Sequence, residues 1–207
     1  MVSEATVFVV DDDQDMRESL RWLLESAGYR VELFESAEEF LQRPGNPSPG
    51  CMLLDVRMPG MGGLRLLERL STVGPHLPVI MVTAHGDVPM AVNAVKSGAF
   101  DFIEKPAAHQ LILDRVRAAV TIDTTNRQRD LERQRFNELF SQLSQREREV
   151  MSGIVNGDSN KVMALAMGIS ERTVEKHRES LMQKMGTRSL AAVIRMGVLH
   201  GTYKSES

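Results

Sequence analysis

Thr6-Val7-Phe8-Val9-Val10-Asp11-Asp12-Asp13 is the stretch that decides the fold. Five β-branched or aromatic residues followed at once by acids describe a short strand that ends in a polar edge. Directly after it the period changes. Over Gln14–Ser26, Met16, Leu20, Leu23 and Leu24 fall on one side of a helix, and Gly28 follows as a stop. Working outward, the same alternation repeats. Arg30–Phe34 reads as a second strand, and Ser36-Ala37-Glu38-Glu39 as a capping box opening a helix through Leu41. Pro44, Gly45, Asn46, Pro47, Pro49 and Gly50 form a loop before a third strand at 51–54, which ends at Asp55. A Gly-rich loop at 59–63 leads to a helix at 64–70; a strand at 78–83, a helix at 88–97 stopped by Gly98, a strand at 100–103 and a helix from about Gln110 complete the set. Five strands alternating with helices predict an α/β domain with a doubly wound five-stranded parallel sheet and right-handed crossovers.

The rest of the chain has a different grain. Residues 115–140 are charged with few breakers, and read as a solvated helix continuing the last one, with Ile122, Leu131, Phe136, Leu139 and Phe140 as sparse apolar contacts. Three clean heptads are missing, which argues against a coiled coil. From Leu143 every segment reads helical. Ser144-Gln145-Arg146-Glu147 is a second capping box, Gly157 a stop, and a short helix over Asn160–Met167 turns at Gly168 into a longer helix capped by Ser170. Helix, short Gly-containing turn, helix is the pattern of an all-α helix-turn-helix domain.

Composition agrees with two ordinary globular modules. The 207 residues are 42% hydrophobic and 26% charged, which excludes disordered and fibrous classes. Residues 1–120 carry 11 Lys+Arg against 17 Asp+Glu, residues 121–140 carry 4 against 4, and residues 141–207 carry 10 against 7. An acidic first half and a basic last third point to different partners. No apolar run approaches the roughly 18 residues that span a bilayer, so no membrane partner is expected. The N-terminal residues show no secretory signal, and the single cysteine, Cys51, has no internal partner; both fit a cytoplasmic protein.

In a doubly wound sheet, functional groups gather at the carboxyl ends of the strands. Asp11 and Asp12 follow strand 1, Asp55 follows strand 3, Thr83 ends strand 4 and Lys105 follows strand 5. Singly each is an ordinary strand-end or capping residue, and Asp13 reads as the cap of the first helix. Together they make one edge of three carboxylates, a hydroxyl and an ammonium. Clustered carboxylates repel unless a cation neutralises them. Mg²⁺, a hard ion that takes oxygen ligands and phosphate, fits such an edge, and the set suits phosphoryl transfer to a carboxylate.

Val9-Val10-Asp11-Asp12, Leu53-Leu54-Asp55-Val56-Arg57-Met58-Pro59-Gly60, Val82-Thr83-Ala84-His85 and Glu104-Lys105-Pro106 together resemble the receiver domain, of flavodoxin-like fold, of two-component response regulators. The resemblance covers residues 4–120. It implies Asp55 as phosphoacceptor, and Asp12, Asp55 and the backbone carbonyl of Arg57 as Mg²⁺ ligands, with Asp11 acting through water. It implies Thr83 and Lys105 as phosphoryl-binding residues, a cis Lys105-Pro106 bond, and Phe102 at the position of a switching aromatic. Arg57 and His85 flank the expected entry of attacking water. Val88, Ala91, Val92 and Val95 are apolar positions on the face that would repack.

The second half carries its own signal. In the helix at 170–185, Val174, His177, Leu181 and Met185 form a packed stripe, while Arg172, Lys176, Glu179 and Gln183 face away with Glu175 beside them. A polar N-terminal half of this kind suits insertion into the major groove. His177 reads as a packed residue and not a metal ligand. Leu143-Ser144-Gln145-Arg146-Glu147-Arg148-Glu149-Val150, Ile169-Ser170-Glu171-Arg172-Thr173-Val174-Glu175-Lys176-His177-Arg178 and Arg188-Ser189-Leu190 resemble the LuxR-type helix-turn-helix. With a linker at 121–140 and this domain at 141–203, the chain resembles the FixJ/NarL family and is closer to the FixJ pattern. The resemblance implies base contacts from Glu175, Lys176 and Glu179. It implies phosphate contacts from Asn160, Lys161, Ser170, Arg172, Thr173, Lys184 and Arg188. Glu175 and Glu179 stand where some relatives carry Lys, so the target sequence does not carry over. Leu190, Val193, Ile194 and Gly197 are candidates for a dimer contact on DNA.

The family implies a sensor histidine kinase, double-stranded promoter DNA, a homodimer on phosphorylation and RNA polymerase as partners, with Mg²⁺ as cofactor and no enzymatic turnover beyond the receiver's own phosphoryl chemistry. Two other classes compete. A haloacid-dehalogenase-like phosphatase would use Asp11 as nucleophile and Asp13 as general acid, but leaves Asp55 without a role and lacks an acidic pair after Lys105. A protein adaptor would leave the C-terminal helices merely structural.

Overall fold

The computed structural model describes residues 5–44, 48–73, 77–84 and 88–199. His85, the loop residues Gly45, Asn46 and Pro47, and the expected domain ends at residues 4 and 200–203 lie outside them. The chain forms two compact units, divided between Gln128 and Arg129.

The first unit is a parallel sheet of β1 (Thr6–Val10), β2 (Arg30–Phe34), β3 (Gly50–Asp55), β4 (Val79–Thr83) and β5 (Asp101–Glu104), in the order β2-β1-β3-β4-β5. Between them run α1 (Gln14–Ser26), α2 (Ala37–Gln42), α3 (Gly63–Val73) and α4 (Val88–Lys96), with α5 (His109–Ser141) following. The order is the doubly wound one, which places loops at a switch point beyond the strands' carboxyl ends. Side chains alternate across the sheet. Phe8, Val10, Met52, Leu54 and Met81 meet Phe40 of α2, Leu66, Leu67 and Leu70 of α3 and Ala94 of α4. Val7, Val9, Leu53, Ile80, Val82 and Ile103 meet Leu20 and Leu24 of α1 and Ile112, Val116 and Ala119 of α5. Cys51 is buried on this second face, where burial and the charge of Asp123 push its thiol up to about 12.

Local chemistry sets the element ends. Asp13 caps α1, accepting from the backbone N–H of Asp15 and Met16. Ser36 caps α2 and accepts from Glu39 N, whereas Glu39 Oε2 accepts from Glu35 N at 2.7 Å, one residue before the expected reciprocal donor. β3 opens on a glycine because a Cβ at Gly50 would run into the carbonyl oxygen of Thr6 on β1. α3 extends three residues beyond the expected end.

Helix α5 is unbroken through the charged stretch. Its apolar contacts differ from expectation. Ile122 is 46% exposed and Leu131 is exposed, whereas Asp123 is fully buried. Phe136 is buried, and with partly buried Leu139 and Phe140 it belongs to the core of the second unit.

That second unit consists of the end of α5, α6 (Gln145–Asn156), α7 (Asn160–Met167), α8 (Glu171–Lys184) and α9 (Leu190–Leu199). Its core is Val150, Met151, Ile154, Met163, Val174, Leu181, Met185 and Val193 around Phe136 and Leu143. Gly168, at φ 64°, closes α7 in a left-handed turn that a side chain would strain. Of the expected dimer positions on α9, Val193 and Gly197 are buried and Ile194 packs on the core. Of that set Leu190 alone is exposed; outside it, Val198 and Leu199 are also exposed large apolar residues of α9.

Candidate phosphoacceptor site and nucleic-acid interface

Register determines which strand ends meet. Val10 pairs with Leu54 across β1 and β3, so Asp11 and Asp55 are neighbours at the carboxyl edge; Asp55 pairs with Val82, one residue before Thr83. Asp11, Asp55 and Thr83 are buried. Lys105, just past β5, donates from Nζ to Asp11 Oδ2 at 2.7 Å and to Asp55 Oδ1 at 3.0 Å. The second oxygen of each acid takes a backbone N–H: Asp13 N to Asp11 Oδ1 at 3.0 Å, and Arg57 N to Asp55 Oδ2 at 2.7 Å. Lys105 N donates to Thr83 O at 2.7 Å, and Lys105-Pro106 is cis. Phe102 is half-buried against the α2–α4 face.

The electrostatics are unevenly balanced. Burial raises the Asp55 pKa above its ordinary value, and the charge of Asp11 adds to this; hydrogen bonds from Lys105 and the Arg57 N–H oppose them. For Lys105, burial pulls down, but the bonds to Asp11 and Asp55 outweigh it and the pKa rises. One ammonium thus serves two buried carboxylates. Asp12 is exposed, and among the described residues no three His, Cys, Asp or Glu side chains are grouped to hold an ion. The expected meeting of three carboxylates therefore holds for two of them. This sparse donor set, with excess negative charge, suits Mg²⁺, which keeps several waters and needs only one or two carboxylates.

In the second unit, Ser170 caps α8, accepting from Thr173 N at 3.2 Å, and the two hydroxyls lie 2.8 Å apart. Val174, Leu181 and Met185 are buried and His177 is half-buried, as the stripe required. Arg172, Glu175, Lys176 and Glu179 are exposed on the other side of α8, as are Lys161 and Arg188 elsewhere in the unit. Two of the expected phosphate-contacting residues are tied up internally. Asn160 Oδ1 accepts from Arg178 Nη1 at 2.6 Å. Lys184 Nζ donates to Glu147 Oε2 at 2.7 Å and to Gln142 O at 3.3 Å.

Glu147 is the residue that sequence reasoning undervalued. The capping box is present on both sides: Ser144 N donates to Glu147 Oε2 at 2.7 Å and Glu147 N to Ser144 Oγ at 3.3 Å. The same carboxylate, 4% exposed, also accepts from Ser180 Oγ at 2.6 Å. Burial works against its charge, yet the bonds from Lys184, Ser180 and Ser144 hold its pKa down to about 2. It joins the start of α6 to the end of α8. A capping acid is normally solvated, so only its pairing with Ser180 and Lys184, over thirty residues away, distinguishes it.

The chain matches the response regulator receiver domain over residues 7–117 and the luxR family of bacterial regulatory proteins over residues 141–197. The transcriptional regulatory protein FixJ of Azorhizobium caulinodans is 44% identical over 201 residues, 97% of this chain and 95% of that protein. The transcriptional regulatory protein TdiR of Thauera aromatica is 44% identical over 185 residues, 89% and 82% of the two chains. Among solved structures, the response regulator StyR is 42% identical with a TM-score of 0.83, covering 94% of this chain and 98% of that one. Full-length FixJ from B. japonicum is 39% identical with a TM-score of 0.60, covering 98% and 100%. The phosphatase alternative fails on both counts: its similar proteins are regulators, and Asp13, its required general acid, is committed to capping α1. The chain belongs to the two-component response regulators that join a receiver domain to a LuxR-type DNA-binding domain, the family of the transcriptional regulator FixJ.

Proposed function

We propose that Asp55 accepts a phosphoryl group from a sensor histidine kinase, and that the modified receiver (residues 4–120) acts through a helical linker (121–140) on sequence-specific DNA binding by residues 141–203. The observation that carries this reading is the Lys105 ammonium bridging two buried strand-end carboxylates. An Asp55 oxygen forms the new bond to phosphorus while the donor's nitrogen–phosphorus bond breaks and the imidazole leaves. The product is an acyl phosphate with about one more negative charge and additional acceptor oxygens. Lys105 pairs with them, and Thr83 donates its hydroxyl to one. Asp12, Asp55 and the Arg57 carbonyl would hold Mg²⁺, with Asp11 acting through water; the ion supplies positive charge against the transferring group. Phe102 responds to the changed Thr83 environment, and the outward residues Val88, Val92 and Val95 of α4 offer the apolar patch on which two phosphorylated copies pair.

On DNA, Glu175, Lys176 and Glu179 of α8 read base edges: lysine donates to guanine, and glutamate accepts from cytosine N4. Lys161, Ser170, Arg172, Thr173 and Arg188 hold phosphates, and Asn160 and Lys184 join them where their internal partners release them. The regulator works in the cytoplasm, with RNA polymerase as downstream partner. Among the described residues no helix is long and apolar enough to cross a membrane.

Two variants test the two halves. Asp55→Asn is expected to abolish hydroxylamine-sensitive labelling from a small-molecule phosphodonor; undiminished labelling removes Asp55 from its role. Lys176→Ala is expected to weaken binding to the preferred genomic fragment by about tenfold, the equivalent of one lost base contact. Its receiver should label normally, and unchanged fragment affinity counts against α8 as the reading helix.

A further inference from the structure

Along the part of α5 that belongs to the first unit, the buried positions are Ile112, Val116, Ala119 and Asp123. Their spacing of four, three and four is one continuous helical stripe. Its last member is a carboxylate with no exposed surface, at a place where an aliphatic side chain would continue the pattern. Asp123 Oδ2 accepts from Gly50 N at 2.8 Å and from Arg127 Nε at 2.7 Å, and Arg127 Nη2 reaches Ser48 O at 3.5 Å. Asp123 Oδ1 is buried and has no hydrogen-bond partner among the described residues. Gly50 is the first residue of β3, and Asp55 is the last. The strand that carries the phosphoacceptor at one end is therefore fastened at its other end to the helix leading into the second unit.

The fastened segment is intrinsically weak as a helix. Thr121-Ile122-Asp123-Thr124-Thr125-Asn126 is six residues of low helix propensity in a row. The hydroxyls of Thr121, Thr124 and Thr125 bond back to the carbonyls of Arg117, Val120 and Thr121, each at 2.8 Å, a pattern that loosens and bends helices. From residue 124 to 135 every side chain is exposed apart from half-buried Arg127; the next buried one, Phe136, belongs to the other unit's core. The Asp123–Arg127 pair lies within one turn of α5, but Asp123 to Gly50 N and Arg127 to Ser48 O cross to the start of β3, and these contacts are satisfied in only one register of helix on strand.

We propose that Asp123 is a positioning residue: with Arg127 it fastens α5 to the phosphoacceptor's strand, keeps residues 121–126 helical, and so carries the state of the receiver into the DNA-binding unit. The inference rests on the proposed function above. The full-length chain, Asp123→Ala and Arg127→Ala are compared with and without a small-molecule phosphodonor. Label incorporation is measured, together with gel-shift affinity for the most strongly retained restriction fragment of the source genome. Each variant is expected to label within twofold of wild type and to bind DNA normally without phosphodonor, while the phosphorylation-dependent gain in affinity falls at least fivefold. Retention of the full gain by folded Asp123→Ala overturns the proposal; if that variant does not fold, retention by Arg127→Ala does so. A wild-type chain whose DNA affinity ignores phosphodonor sinks the functional reading instead. In that case amide exchange still decides the fastening: Arg127→Ala must lose at least tenfold protection at Gly50 and residues 121–126 with β1 unchanged, and equal protection refutes it.

Discussion

Two clusters of buried carboxylates with a lysine have opposite characters. At the strand ends of the first unit, one lysine is divided between Asp11 and Asp55, and burial leaves the Asp55 pKa raised. Between α6 and α8, Glu147 accepts from the Lys184 ammonium, the Ser180 hydroxyl and the Ser144 N–H, none of them divided with a second carboxylate, and its pKa falls to about 2. The chemistry of the groups is the same; the number of donors per carboxylate differs. An under-satisfied acid is receptive to a cation or a phosphoryl group, whereas a fully satisfied one acts as a structural joint.

The largest expected way to break the contrast is Lys105→Ala. It leaves Asp11 and Asp55 facing each other without a countercharge, and should cost about 3–5 kcal/mol of stability at pH 7, much of it recovered as the pH falls and Asp55, already raised by burial, protonates. Urea unfolding of the first unit at pH 7 and pH 5 measures this; equal losses at both values would show that repulsion is not the cause. Next comes Glu147. Its folded pKa lies below the ordinary 4.5, so its contribution is fully present above that value and disappears as the pH falls toward 2. A depression of that size corresponds to at most about 3 kcal/mol, reduced by solvent around the half-exposed Lys184. Glu147→Gln should therefore lower the melting temperature of the second unit at pH 7 and flatten its acid dependence between pH 4.5 and 2; an unchanged acid limb rules the joint out. The smallest effect has the opposite sign. Asp55 is raised, so its contribution is present below the ordinary carboxylate range and lost as the pH rises through its folded value. Asp55→Asn should consequently stabilise the first unit at pH 7 by about 1 kcal/mol while abolishing labelling, the trade typical of a functional acid. A destabilised but folded Asn variant would mean that the Lys105 contact outweighs burial.

How far these features could be read from sequence depends on the range of the interactions. β1, β3 and β4 and the acids after β1 and β3 were legible because a strand's apolar run and its terminal residue are adjacent in the chain. The caps Asp13, Ser144 and Ser170 were legible for the same reason. Asp123 was not, since a lone acid among Arg127, Arg129 and Asp130 looks solvated; only counting from Ile112 through Val116 and Ala119 places it inward. Lys184 and Asn160 looked available to DNA because their partners, Glu147 and Arg178, lie 37 and 18 residues away. On α9, an apolar helix near a chain end offers no sequence signal to separate core from contact, so Val193 and Leu190 looked alike.

Cys51 gives the molecule a practical property. It is the chain's single cysteine, enclosed within the sheet, and burial pushes its thiol up to about 12. A thiolate attacks maleimides and thiol-specific nitroxide reagents, and at neutral pH Cys51 offers almost none. A cysteine introduced at an exposed position such as Trp22 or Leu131 can thus be tagged selectively in the otherwise native chain, which opens distance spectroscopy on the regulator without first constructing a cysteine-free background.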